Sequence, residues 1–201
     1  MKIVRRERLI DEGVFSSTAM WAKIEHDVIQ AIATIEWPPN SGSFTIYPQS
    51  GKKKGEGNGV KPIKDAFILH LEARGWVKEQ PLTVLGTGEM DIAYWTDKGL
   101  FCVEWETGNV SSSHRSLNKM TMGMIEKVLI GGILVVPTRA LATFLTDRIG
   151  NFPELSAYFP FWRKQKVHIQ EGVLEIIAVE HDATSFDVPR ISKGTDGRAL
   201  T

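Results

Sequence analysis

Of the five carboxylates between Gly88 and Asn109, GEMDIAYWTDKGLFCVEWETGN, three stand among apolar strand residues: Asp91, Glu104 and Glu106. The stretches on either side of Thr96–Gly99 read as strands, and Thr-Asp-Lys-Gly has the composition of a turn. A hairpin folded symmetrically about Asp97–Lys98 sets Asp91 directly across from Glu104, with Cβ atoms about 5 Å apart. Strand side chains alternate, so Glu104 and Glu106 share a face with Cys102. Phe101, Val103 and Trp105 occupy the other face and read as core. The three acids are therefore expected on one side of one sheet. Clustered carboxylates raise one another's pKa unless something positive joins them. A hard divalent cation is the usual partner, and Mg²⁺ takes a few carboxylates together with waters and phosphate oxygens. The opposing reading is a solvated strand face whose acids pair with Lys or Arg. A lone Glu-x-Glu would favour that reading, and the cross-strand Asp91 moves the balance toward a cation site.

The residues after Glu106, TGNVSSSHRSLNKM, lead from the strand end into a helix and are dense in short polar donors. A helix N-terminus beside a carboxylate cluster suits a phosphate. Ser111–Ser113 can cap it, and Arg115 can clamp phosphate through two N–H groups. Arg115 and Asn118 are three apart and so neighbours on the helix. His114 reads as a proton shuttle, a DNA contact or a solvent-facing side chain.

These residues need elements to hold them. Met20, Ile24, Val28, Ile32 and Ile35 recur at helical spacing, which predicts a helix over Trp21–Ile35 stopped by Pro38-Pro39. The Gly-, Ser- and Lys-rich stretch that follows reads as loop. A second helix is expected over Ile63–Ala73, closed by Gly75. Strands are expected in PLTVLGT, EMDIAYW, GLFCVEWETG, GGILVVP and GVLEIIAVEHD. Helices are expected after the serines, with Leu117, Met120, Met124 and Val128 as the core stripe, and in RALATFLTDRIG and PELSAYFPFWRK. The order predicts helices covering a mixed sheet.

The bulk properties narrow the class. A chain of 201 residues with 42% hydrophobic and 24% charged residues is an ordinary globular composition, long enough for one domain. Lys plus Arg equals Asp plus Glu, 24 each, so the total charge announces no nucleic-acid partner, although a basic face can hide in a balanced total. The single cysteine, Cys102, excludes an internal disulfide and a cysteine-based zinc site. The N-terminus lacks an apolar signal-peptide core, and VLIGGILVVP is too short to span a bilayer. A cytoplasmic protein without membrane contact is the expectation.

The run MDIAYW…LFCVEWETGNVSSSHRSLNKM resembles the active-site region of Type II restriction endonucleases of the BamHI, BglII and BstYI group, within the PD-(D/E)XK nuclease superfamily. The helix DAFILHLEARGW and the later GGILVVPTRALATFLTDRIGNFPELSAYFPFWR are similar in layout, so the resemblance spans Ile63 to Arg163. It implies an α/β fold, a restriction-endonuclease-like mixed central β-sheet flanked by helices on both faces. One nuclease domain over residues 1–190, with a flexible tail over 191–201, is the matching expectation. The resemblance further implies Mg²⁺-dependent hydrolysis of double-stranded DNA, Mn²⁺ substituting, with 5′-phosphate and 3′-hydroxyl products. Asp91 and Glu104 would hold the cation with the Val103 or Trp105 carbonyl, and Glu106, where the superfamily usually has Lys, would serve the attacking water. Lys52, Lys53, Lys54, Asn109, Ser112, Ser113, His114, Arg115, Asn118 and Lys119 would be DNA contacts. The family's helix often presents a metal-associated Glu or Asn near its start; this chain has Lys64-Asp65 there, which makes Asp65 the accessory candidate. A homodimer and a cognate DNA methyltransferase are the implied partners.

Other classes fit less well. A glycosidase needs two carboxylates flanking a sugar across a cleft. A catalytically silent DNA-binding or defence module would not need all three acids. A nonspecific DNA nuclease shares the chemistry and differs only in how it reads DNA.

Overall fold

Alternating and wholly apolar runs assemble one six-stranded sheet. The computed structural model describes residues 1–53, 55–81, 88–146 and 149–193. Its main sheet contains β1 (Lys2–Glu12), β3 (Val77–Pro81), β4 (Glu89–Thr96), β5 (Gly99–Trp105), β6 (Leu129–Pro137) and β7 (Gly172–Glu180), in the order β1-β7-β6-β5-β4-β3. Strands β5, β6 and β7 run parallel, while β1 joins β7, and β4 joins β3 and β5, antiparallel. A separate parallel pair joins β2 (Thr45–Ile46) to β8 (Ala183–Thr184). Strand β6 is buried throughout, as expected of a parallel strand covered on both faces.

The pleat divides the side chains between two cores. Phe101, Val103 and Trp105 pack with Trp21, Ile24 and Val28 of α1 (Ala19–Ala33) and with Phe67 and Leu71 of α2 (Lys61–Glu72). On the opposite face, Leu100 and Cys102 pack with Leu117, Met120 and Met124 of α3 (Val110–Ile125). Phe152 and Leu155 of α5 (Phe152–Ser156), and Phe159 and Trp162 of α6 (Phe159–Lys164), complete that second core. The mixed sheet with helices on both faces is thus present.

Two stretches depart from the sequence reading. The charged N-terminal stretch forms β1, an edge strand; Arg6 pairs there with the buried Glu175 at 2.6 Å and also with Glu25. The helix expected over Arg139–Gly150 is only the single turn α4 (Arg139–Ala142). Its continuation is diverted because Asn58 captures that chain: its side-chain amide donates to the Phe144 carbonyl at 2.9 Å, and its own carbonyl accepts from Thr146 N–H at 3.0 Å. Strand β3 reaches Pro81, the first residue of PLTVLGT; the rest of the strand expected there, residues 82–87, falls outside the described residues. At the other end, Ile191 is buried, and its N–H donates to Asn58 Oδ1 at 3.1 Å. Of the tail expected over 191–201, residues 194–201 fall outside the described residues.

Close packing at β6 depends on the absence of a side chain at Gly131. A Cβ there would sit 2.3 Å from the Val173 carbonyl oxygen and 2.7 Å from the Phe101 ring. Gly131→Ala is expected to destabilise the protein by about 1–3 kcal/mol, as overpacking typically does. Equal thermal midpoints for variant and parent would contradict this packing. Among the described residues no helix is long and apolar enough to cross a membrane.

Candidate active site

The β4–β5 ladder pairs Ile92 with Val103, which is the symmetric register expected about Asp97–Lys98. One step further along that register, Asp91 stands beside Glu104. Here the Trp105 N–H donates to Asp91 Oδ2 at 2.9 Å, fixing the acid to the β5 backbone. Lys64 of α2 reaches the other oxygen, its Nζ donating to Asp91 Oδ1 at 2.5 Å. Glu104 Oε1 meets Lys119 Nζ at 2.9 Å, and the same ammonium donates to the Glu89 carbonyl at 2.6 Å. Glu106 Oε1 accepts the Gly108 N–H at 2.6 Å, and Oε2 accepts the Ser113 hydroxyl. All three acids line one pocket of about 240 Å³, with Lys64, Glu89, Arg115 and Lys119 around them.

Burial sets the electrostatics of this pocket. Glu104 and Glu106 are 8% and 5% exposed. Desolvation, followed by the charge on Asp91, pushes the Glu104 carboxyl up to about 7 against the pull of Lys119. Desolvation also pushes Glu106 up to about 7, opposed by its bonds from Ser113 and Gly108. Burial, more than mutual repulsion, thus disfavours the charged form of both glutamates.

Among the described residues no group of three or more His, Cys, Asp or Glu side chains is gathered so as to hold a metal ion. The donor chemistry nevertheless suits a hard cation held by few protein ligands. Asp91 and Glu104 are adjacent carboxylates in a partly desolvated pocket, and Mg²⁺ takes one or two carboxylates with waters and phosphate oxygens besides. Trp105 borders the pocket, whereas Val103 is not among its lining residues, so Trp105 is the better placed of the two to add a carbonyl.

Helix α3 sorts the polar residues that sequence spacing alone left together. Ser112, Arg115 and Lys119 line the pocket. The Asn109 side chain caps the helix, accepting from Ser111 N–H at 3.0 Å and from Ser112 N–H at 3.4 Å. Ser113, expected as a DNA contact, is wholly buried beneath Glu106. His114 packs edge-on against Tyr158 and Trp162, with ring centroids 4.5 and 5.3 Å away. Asn118 accepts the Trp162 Nε1–H at 3.0 Å. His114 and Asn118, one turn apart, therefore face α6 rather than the pocket. Asp65, the accessory candidate, is exposed and pairs with Lys61 at 3.3 Å, while its neighbour Lys64 enters the site. Lys52 and Lys53 are exposed on a loop held at Gly51 and Asn58 by the 143–146 segment; Lys54 falls outside the described residues. Lys64 and Glu89 escaped sequence reasoning. Helical spacing held the signal for Lys64, which shares a row with the buried Ile68, whereas Asp65 shares one with the exposed Leu69.

The solved structure of restriction endonuclease BglII complexed with a DNA 16-mer matches with a TM-score of 0.64 at 8% identity, covering 90% of this chain and 79% of that one. The fold is therefore of the restriction-endonuclease class. A family model described as restriction endonuclease BamHI matches residues 1–198, well beyond the Ile63–Arg163 span of the motif resemblance. The chain is 43% identical over 203 residues to Type II restriction enzyme OkrAI of Oceanobacter kriegii, covering all of both. It is 33% identical over 207 residues to Type II restriction enzyme BamHI of Bacillus amyloliquefaciens, covering 96% of this chain and 92% of that one. The chain belongs to the BamHI family of Type II restriction endonucleases, enzymes that hydrolyse DNA.

Proposed function

We propose that this chain is a Mg²⁺-dependent endonuclease that cuts double-stranded DNA at a specific sequence, with Mn²⁺ as a substitute cofactor. The observation that carries this reading is the meeting of Asp91, Glu104 and Glu106 in one pocket bordered by the first turns of α3. Asp91 and Glu104, with the Trp105 carbonyl, hold the cation. When bound, the cation polarises the scissile phosphate and makes water a better nucleophile at neutral pH. Glu106 orients the attacking water and takes its proton; a carboxyl at about 7 is suited to that exchange near neutrality. Arg115 is exposed at the pocket and clamps the incoming phosphate. In-line attack breaks the bond to the 3′ oxygen and leaves 5′-phosphate and 3′-hydroxyl ends. Lys52 and Lys53 contribute sequence-independent backbone contacts.

Cutting both strands calls for two such sites, and a homodimer supplies them. Met122 of α3 is 48% exposed, and Tyr158 and Phe161, at the start of α6, are 52% and 57% exposed. Exposed aromatic residues and Met are characteristic of interfaces. Phe159 and Trp162 are spent on the core beneath. The chain acts as one nuclease domain, since both cores share the one sheet, and works in the cytoplasm beside a cognate methyltransferase that protects host DNA.

Incubation of the purified protein with plasmid and phage DNA tests the reading. Discrete fragments with Mg²⁺ and none with EDTA are expected. A smear would replace site specificity with a nonspecific nuclease, and intact DNA that is still bound would point to a silent module.

A further inference from the structure

Each of the two oxygens of Asp91 has a partner, and the two partners differ in kind. Oδ2 is held by the Trp105 N–H, a backbone donor fixed in the sheet. Oδ1 is held by the Lys64 ammonium at 2.5 Å. Oδ1 is therefore the oxygen that Asp91 has to offer a cation, and a lysine sits on it. The second lysine of the pocket is held differently. Lys119 is 8% exposed and bonds both Glu104 and the Glu89 carbonyl, so it is locked by two partners in a buried position. Lys64 projects from the first turns of α2 with a side chain 26% exposed, and Asp91 is its partner among the described residues. An ammonium on a four-carbon stem at a pocket mouth can leave without unfolding anything.

We infer that Lys64 is a displaceable counter-ion for the cation site: it neutralises Asp91 in the DNA-free protein and must withdraw before a divalent cation can take Oδ1. This rests on the cation-site reading given above. A charge so placed acts against cation binding in two ways. It occupies the ligand oxygen, and it repels a second positive charge over a few ångströms. The pocket thereby stays charge-balanced when no DNA is present. The withdrawn ammonium is left at the mouth of a pocket that receives phosphate, where a DNA backbone offers it a replacement partner. Cation and DNA are then coupled through one side chain, each favouring the other by the same factor.

Mn²⁺ titration of the DNA-free protein, read from the loss of the free-ion electron paramagnetic resonance signal, tests the inference without reference to cleavage. Lys64→Met should bind Mn²⁺ on the order of tenfold more tightly than the parent, because it removes both the competitor and the repulsion. Lys64→Arg, which keeps the charge, should bind no more tightly than the parent. Lys64→Gln provides a second neutral variant should the methionine variant melt early. Parent-like or weaker binding in both neutral variants would overturn the role of Lys64 while leaving the cation site standing. Absence of Mn²⁺ binding in the parent and in every variant would overturn both.

Discussion

Glu104→Ala is expected to lower Mg²⁺-dependent DNA cleavage by at least about 100-fold, more than the loss typical of residues that only support a metal ligand. DNA affinity in EDTA is expected to stay the same or tighten, since the variant removes negative charge from the path of a phosphate. Two features separate this from simple unfolding. Lys119 keeps its bond to the Glu89 carbonyl when Glu104 is gone. The parent carboxyl is also held in a place that raises its pKa to about 7, so its removal relieves a buried group as well as stranding a lysine. Glu104→Gln, which retains an acceptor for Lys119, should be equally inactive. Single-turnover cleavage in either variant within tenfold of the parent would remove Glu104 from the cation site.

Glu106→Gln should divide activity from stability. Loss of the carboxylate proposed to serve the attacking water is expected to slow cleavage by roughly 100-fold or more. The same change should stabilise the metal-free protein at alkaline pH. The Glu106 carboxyl rises from 4.5 to about 7 on folding, so the folded chain holds a proton that the unfolded chain releases between those values. Stability is therefore full below about 4.5 and falls as pH rises through 7, by at most about 3 kcal/mol. Glutamine carries no charge to desolvate. Its carbonyl can accept the Gly108 N–H, and its amide can donate to a rotated Ser113 hydroxyl, so both bonds survive. In EDTA the variant should melt several degrees above the parent at pH 8 and level with it at pH 4.5. An equal difference at both values would disconnect Glu106 from the pH dependence.

The centre of the site was legible because the hairpin is short and nearly symmetric. The turn at Asp97–Lys98 and the two-residue period suffice to put Asp91 by Glu104 and to send Phe101, Val103 and Trp105 into the other core. The surroundings were less legible because they depend on which side of a helix meets which neighbour. Ser113, His114, Arg115 and Asn118 look alike as polar residues on one helix. Only the packed α6, with Trp162 donating to Asn118 and flanking His114, tells them apart. The same reason hid Lys64 behind Asp65. Strand β1 was obscured because its frequent charges leave no clean apolar alternation, whereas Arg6 is folded onto Glu175, which is 1% exposed. The early end of α4 depends on Asn58, more than eighty residues away in sequence, and local helical spacing carries no trace of that contact.

Helix α3 meets three neighbours at once: Ser113 under Glu106, Lys119 on Glu104, and Asn118 against Trp162. Successive helical residues are rotated by about 100°, so adding or deleting one residue between Ser113 and Asn118 would leave the helix unable to meet all three. Point substitutions on the pocket-facing row can still alter how DNA is gripped. The spacing from Ser113 to Lys119 within α3, by contrast, should tolerate no drift among lineages that keep the enzyme working.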